Sequence, residues 1–190
     1  VDAGKTTLSE ALLYRCGMIR RLGRVDNRDA FLDTEELEKK RGITIFSKQA
    51  LLRYEDMEVT LLDTPGHVDF SAEMERSLQV LDYAVLLISA PDGIQGHTKT
   101  LWRLLERYRI PTFLFFNKMD QIGGEGAALL AEKMALLAES REVLGGGIVD
   151  FSCQGTEEFY ENIAVCEEAA LERFLERGTI EDDEIVRLIS

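Results

Sequence analysis

Residues 59–67, Val-Thr-Leu-Leu-Asp-Thr-Pro-Gly-His (VTLLDTPGH), run an apolar strand into an abrupt turn. Val59, Leu61 and Leu62 predict a short strand over Val59–Asp63, and Pro65 with Gly66 ends it. An aspartate at the C-terminal edge of a strand faces the ligand crevice of an open α/β sheet. There Asp63 can hold a magnesium ion through a water. Gly66 has no side chain, so the backbone can approach a phosphate closely. An isolated Asp-Thr-Pro-Gly is an ordinary turn, and its neighbours along the chain decide between the two readings.

Upstream, VDAGKTT (residues 1–7) opens directly into a helix. It fits the end of the phosphate-binding pattern G-x-x-x-x-G-K-[ST], with Gly4, Lys5 and Thr6 in the last three places. The first glycine of that pattern would lie two residues before Val1. Successive backbone N–H groups at a helix N-terminus form a nest for phosphates. Asp2, Ala3, Gly4, Lys5, Thr6 and Thr7 are therefore the candidate phosphate contacts. Lys5 reaches the β- and γ-phosphates, and the Thr6 hydroxyl ligates Mg²⁺. Gly-Lys-Thr alone is equally a plain helix start.

Downstream, Asn117-Lys118-Met119-Asp120 follows the buried strand reading of PTFLFF (residues 111–116). A carboxylate there can accept two hydrogen bonds, from the ring N–H and the exocyclic amine of guanine. Adenine lacks that donor pair, so it would leave the carboxylate unpaired and be rejected. Asn117 braces the loop and approaches the carbonyl edge of the base, while the Lys118 stem lies over the ring. Three strings in this order make each other's functional reading far stronger.

Between and beyond these strings the pattern alternates. A helix starts at the glycine loop, with Leu8, Ala11 and Leu12 on one face and Gly17 as its stop. Residues 18–41 have no clean period and predict a long loop with a short helix around Glu35–Lys40. Ile43–Tyr54 and Val59–Asp63 predict a hairpin joined at Glu55–Asp56–Met57. Helices are predicted over Phe70–Leu81, Gly96–Arg109 and Ala127–Ala138, and buried strands over Tyr83–Ala90 and Pro111–Phe116. His97 reads as structural and Trp102 as packing. Glu157–Glu176 and Asp182–Ile189 predict acidic surface helices. The expectation is a mostly parallel, doubly wound α/β sheet flanked by helices, with an acidic helical insert at the C-terminal end.

Charge is unevenly divided. The net charge is −13 over 190 residues, yet residues 1–53 hold 11 Lys/Arg against 8 Asp/Glu, while residues 54–190 hold 11 against 27. The basic excess coincides with the predicted phosphate end. Residues 157–190 hold 11 acidic and 3 basic residues, a solvated face. Such a balance argues against free DNA or non-specific RNA as a ligand, because that affinity comes largely from Lys and Arg. No apolar run approaches the ~20 residues of a spanning helix, and the first residues do not read as a secretory signal. Cys16, Cys153 and Cys166 form no CxxC pair and read as reduced thiols of a cytoplasmic protein.

With GKT, RGITI (residues 41–45), DTPGH and NKMD in this order, the chain resembles the GTPase domain of translation factors, and specifically the elongation factor G class. CGMIRRLGRVD, LDTEELEKKRGITI and LLISAPDGIQ are most similar to tetracycline ribosomal-protection proteins. The resemblance is good over residues 1–125 and fades beyond. It implies a P-loop NTPase fold, with residues 1–124 a core that lacks its first strand. Residues 125–190 would be a helical insert that ends before the last guanine-contacting loop; Ser152–Cys153 resembles that loop only superficially.

The resemblance also implies GTP as substrate, GDP as product and Mg²⁺ held by Thr6, Thr44 and Asp63. Thr44 would sense the γ-phosphate, and His67 would stand where other GTPases carry a water-positioning glutamine. Lys5, Thr44 and His67 are thus the catalytic candidates, with switch segments at Asp33–Thr44 and Gly66–Glu73. The expected partner is the ribosome, for a monomer that binds no membrane. An elongation factor G translocase and a non-catalytic GTP-gated binding module are the alternatives.

Overall fold

The computed structural model describes residues 2–21, 48–65, 71–123, 125–145, 147–165 and 167–189. The short helix around Glu35–Lys40 and the first residues of the predicted hairpin lie outside them. The chain divides into two compact units, Val1–Gln121 and Ile122–Ser190.

The first unit opens with Gly4 in the left-handed region (φ 90°), followed by helix α1 (Lys5–Arg15). Gly17, at φ 72°, ends the turn beyond the helix, as a C-terminal glycine should. The buried anchor of α1 is Leu13; of the predicted face, Leu8 is half-buried and Ala11 and Leu12 are exposed. The reason is tertiary: Leu13 packs on Leu52, with Ala50 and Leu61 alongside.

Leu52 belongs to β1 (Lys48–Tyr54) and Leu61 to β2 (Met57–Asp63). These strands pair antiparallel, from Lys48 opposite Asp63 to Tyr54 opposite Met57. Only Glu55 and Asp56 form the turn, so Met57 is a strand residue rather than part of the joint. Glu55 takes φ 51°, the left-handed conformation that tight hairpin turns demand.

Helix α2 (Ser71–Leu78) stops three residues short of the predicted Leu81, in a turn over Gln79–Val80. Strands β3 (Ala84–Ser89) and β4 (Thr112–Asn117) are parallel, with Ala84 opposite Thr112 and Ser89 opposite Asn117. Helix α3 (Gly96–Tyr108) makes the crossover between them, as a parallel pair requires. Met74, Leu78, Leu86 and Leu105 form the core there, and Trp102, Tyr108 and Leu114 pack against it. The Tyr108 hydroxyl donates to Glu75 Oε1 at 2.8 Å, tying α3 to α2. Among the described strands one pair is thus parallel and one antiparallel, the latter forced by its two-residue turn.

The second unit is helical: α4 (Ala127–Leu144), α5 (Glu157–Ala164), α6 (Glu168–Arg177) and α7 (Asp182–Ile189). Helix α4 runs six residues past the predicted Ala138. Its buried stripe of Leu136, Ser140 and Leu144 keeps the helical spacing until Gly145 ends it. The predicted Glu157–Glu176 helix is two helices, Glu157–Ala164 and Glu168–Arg177. Thr156 caps α5, its hydroxyl accepting from the Phe159 N–H at 3.3 Å. Phe159, Ile163, Phe174, Ile180 and Ile185 form the core of this unit. Arg173 pairs with Glu184, joining α6 to α7.

Candidate functional site

The phosphate-loop string occupies the head of α1. Asp2 and Gly4 both have positive φ, 58° and 90°, on either side of buried Ala3. Left-handed backbone at a non-glycine residue is uncommon and concentrates at ligand-holding loops. Lys5 and Thr6 are half-buried, and Thr7 is exposed.

Strand β2 delivers Asp63 to the same place. Its side chain is 4% exposed, and the Thr6 hydroxyl donates to Asp63 Oδ2 at 3.0 Å. A buried carboxylate needs such a partner. The hydroxyl and the carboxylate together are the hard oxygen donors that suit magnesium. Lys5 and Thr6 belong to one string and Asp63 to another, and the fold brings them together. Ala3, Lys5 and Asp63 line one cavity of about 310 Å³, whose other walls are largely aliphatic residues of β2, β3 and helices α1, α2 and α3.

Strand β4 delivers the third string. Asn117 is its last residue, Lys118 turns the chain with φ 59°, and Asp120 lies exposed in the short turn Met119–Gln121. Asp120 does not line the cavity shared by Lys5 and Asp63. The connection is made by Asn117, whose Nδ2 donates to the Ala3 carbonyl at 2.8 Å across 114 residues of sequence. Asn117 thus ties the end of β4 to the phosphate loop.

Sequence reasoning missed why Gly4 must be glycine at this point. A Cβ on Gly4 would meet Asn117 Nδ2 at 2.5 Å, in addition to the strain of φ 90°. The Gly-Lys-Thr pattern marks the residue but not its neighbour. Thr44, Gly66 and His67 lie outside the described residues, and so does the RGITI string. Ser152–Cys153 sits in the turn Phe151–Cys153 of the helical unit.

A glycine turn heading a helix, a threonine joined to an aspartate at a strand tip and a parallel β-α-β crossover define the class: a P-loop nucleotide-binding fold. The chain belongs to the family of the elongation factor Tu GTP binding domain, matched over residues 1–180. It is 51% identical over 138 residues to a tetracycline resistance protein TetO of Campylobacter jejuni, covering 73% of this chain and 22% of that protein. Elongation factor G 2 of Borreliella burgdorferi is 46% identical over 125 residues, covering 66% of this chain and 19% of that one. A crystal structure of a Thermus thermophilus protein superposes with a TM-score of 0.81 at 27% identity, over 98% of this chain and 33% of the other. The chain thus spans about a fifth of the length of these curated relatives.

Proposed function

We propose that this chain binds GTP and hydrolyses it as the GTPase domain of a ribosome-associated translation factor, of the tetracycline ribosomal-protection type. The observation that carries the reading is the Asn117–Ala3 hydrogen bond, which ties the base-selecting string to the phosphate loop. In this reading residues 1–124 are the nucleotide-binding core and residues 125–190 its acidic helical insert. Membership of a GTP-binding family and the likeness to TetO support it. The elongation factor G likeness supports the translocase as a second reading, with a slightly lower identity.

The roles in this reading are those that the sequence strings and the family resemblance suggest. The N–H groups of Asp2–Thr7 and the Lys5 ammonium hold the phosphates and stabilise charge that builds on them as the bond to the γ-phosphate breaks. Asp120 takes the two donors of the guanine edge, with Asn117 and Lys118 orienting and covering the ring. Gly66 leaves room beside the γ-phosphate. Thr6, Thr44 and Asp63 would hold Mg²⁺, which when bound neutralises part of the phosphate charge. His67 orients the attacking water, and Thr44 reports the γ-phosphate. The partner is the ribosome, for a monomer working in the cytoplasm without a membrane or free DNA. No described helix is long and apolar enough to cross a membrane.

Ribosome-stimulated GTP turnover tests the catalytic part. His67→Ala should lower kcat by about 100-fold or more, the scale of a lost proton-transfer or water-positioning group, with GDP affinity nearly unchanged. Unchanged turnover would remove His67 from the reaction.

A further inference from the structure

Ser89 closes β3 and stands opposite Asn117, the last residue of β4, in the parallel ladder. Partners in adjacent strands turn their side chains to the same face of the sheet, and successive residues alternate. Leu86 and Leu114 face the core formed with α2 and α3, so Ser89 and Asn117 project from the opposite face. That is the face from which Asn117 grips the Ala3 carbonyl. Ser89 is 6% exposed, and its Oγ is buried with no hydrogen-bond partner among the described residues.

An unsatisfied buried hydroxyl is unfavourable and rare, and each instance calls for a physical reason. Its surroundings supply one. The turn that follows, Ala90–Asp92, packs against Met119–Gln121, the turn that carries Asp120. Ser89 therefore lies where the phosphate loop, the base loop and their shared asparagine meet. With Asn117 Nδ2 committed to Ala3, Oδ1 is the acceptor that the amide has left.

We propose that Ser89 is a positioning residue for nucleotide: when the two loops close on the ligand, its hydroxyl donates to Asn117 Oδ1. That bond would lock the amide in the orientation that holds Ala3 and faces the base. It forms with the ligand and not before, so it adds to nucleotide affinity rather than to the stability of the empty protein. The inference rests on the GTP-binding reading above.

Titration of the purified protein with fluorescent GDP, beside thermal melts without nucleotide, tests it. Ser89→Ala should weaken GDP binding by roughly 2- to 12-fold, the range of one net hydrogen bond. Its melting temperature without nucleotide should equal or exceed that of the wild type. Ser89→Cys, close in shape but a weak donor, should bind GDP almost as poorly. GDP affinity unchanged in Ser89→Ala overturns the inference alone. So does a loss matched by a lower melting temperature, because that is a packing effect. A wild type that fails to bind GDP overturns the nucleotide reading and this inference together.

Discussion

Gly4 shows how one residue couples two distant strings. Its φ of 90° suits glycine, and the Asn117 amide lies 2.5 Å from where a Cβ would stand. Gly4→Ala therefore meets backbone strain and a clash with a side chain already held by Ala3. Strain of this kind is worth about 1–3 kcal/mol. If Asn117 swings away instead, the clasp on the phosphate loop is lost. Either way, Gly4→Ala should bind GDP at least about fivefold more weakly in a fluorescence titration, and affinity equal to the wild type would show that the contact is dispensable. The strings that hold Gly4, Lys5, Thr6, Asp63 and Asp120 were legible in the sequence, because a glycine loop before a helix and a polar turn after an apolar strand are local patterns. The Gly4–Asn117 approach was not, since nothing local in either string encodes a neighbour more than a hundred residues away.

Elements were legible where period and burial agree. The alternation and apolar runs of β2, β3 and β4 and the stripe of α3 predicted those segments to within a residue or two. Boundaries failed where packing or a turn decided them: α4 continues because Ser140 and Leu144 extend its buried stripe, and α1 turns Leu13 inward because Leu52 is there to receive it. The end of α3 offers a sharp test. Arg109 caps it in the left-handed region at φ 55°, its N–H returning to the carbonyls of Leu105 and Glu106. Glycine adopts that conformation without steric strain and is the usual residue at this position. Arg109→Gly should therefore stabilise the protein by about 0.5–1 kcal/mol despite its greater unfolded-state freedom, seen as a melting temperature raised by a few degrees. A lowered melting temperature would mean that the Arg109 side chain contributes more than its backbone strain removes.

At the scale of the whole molecule, charge and function divide together. The basic excess of residues 1–53 belongs to the stretch of sequence that opens with the phosphate loop, while the acidic excess of residues 54–190 extends through the helical unit. Composition alone made that split visible, but the separation into units at Gln121–Ile122 depends on which helices bury one another. The central claim is that one site selects a guanine nucleotide, with phosphates at Lys5 and the base at Asp120. Equilibrium titration of the purified protein with labelled GDP and labelled ADP, in wild type and Asp120→Ala, tests it most directly. The account predicts GDP bound more tightly than ADP by roughly 10⁴-fold, as when a site built for a donor pair meets a base lacking it, and that preference largely erased in Asp120→Ala. Equal affinity for GDP and ADP in the wild type would contradict it.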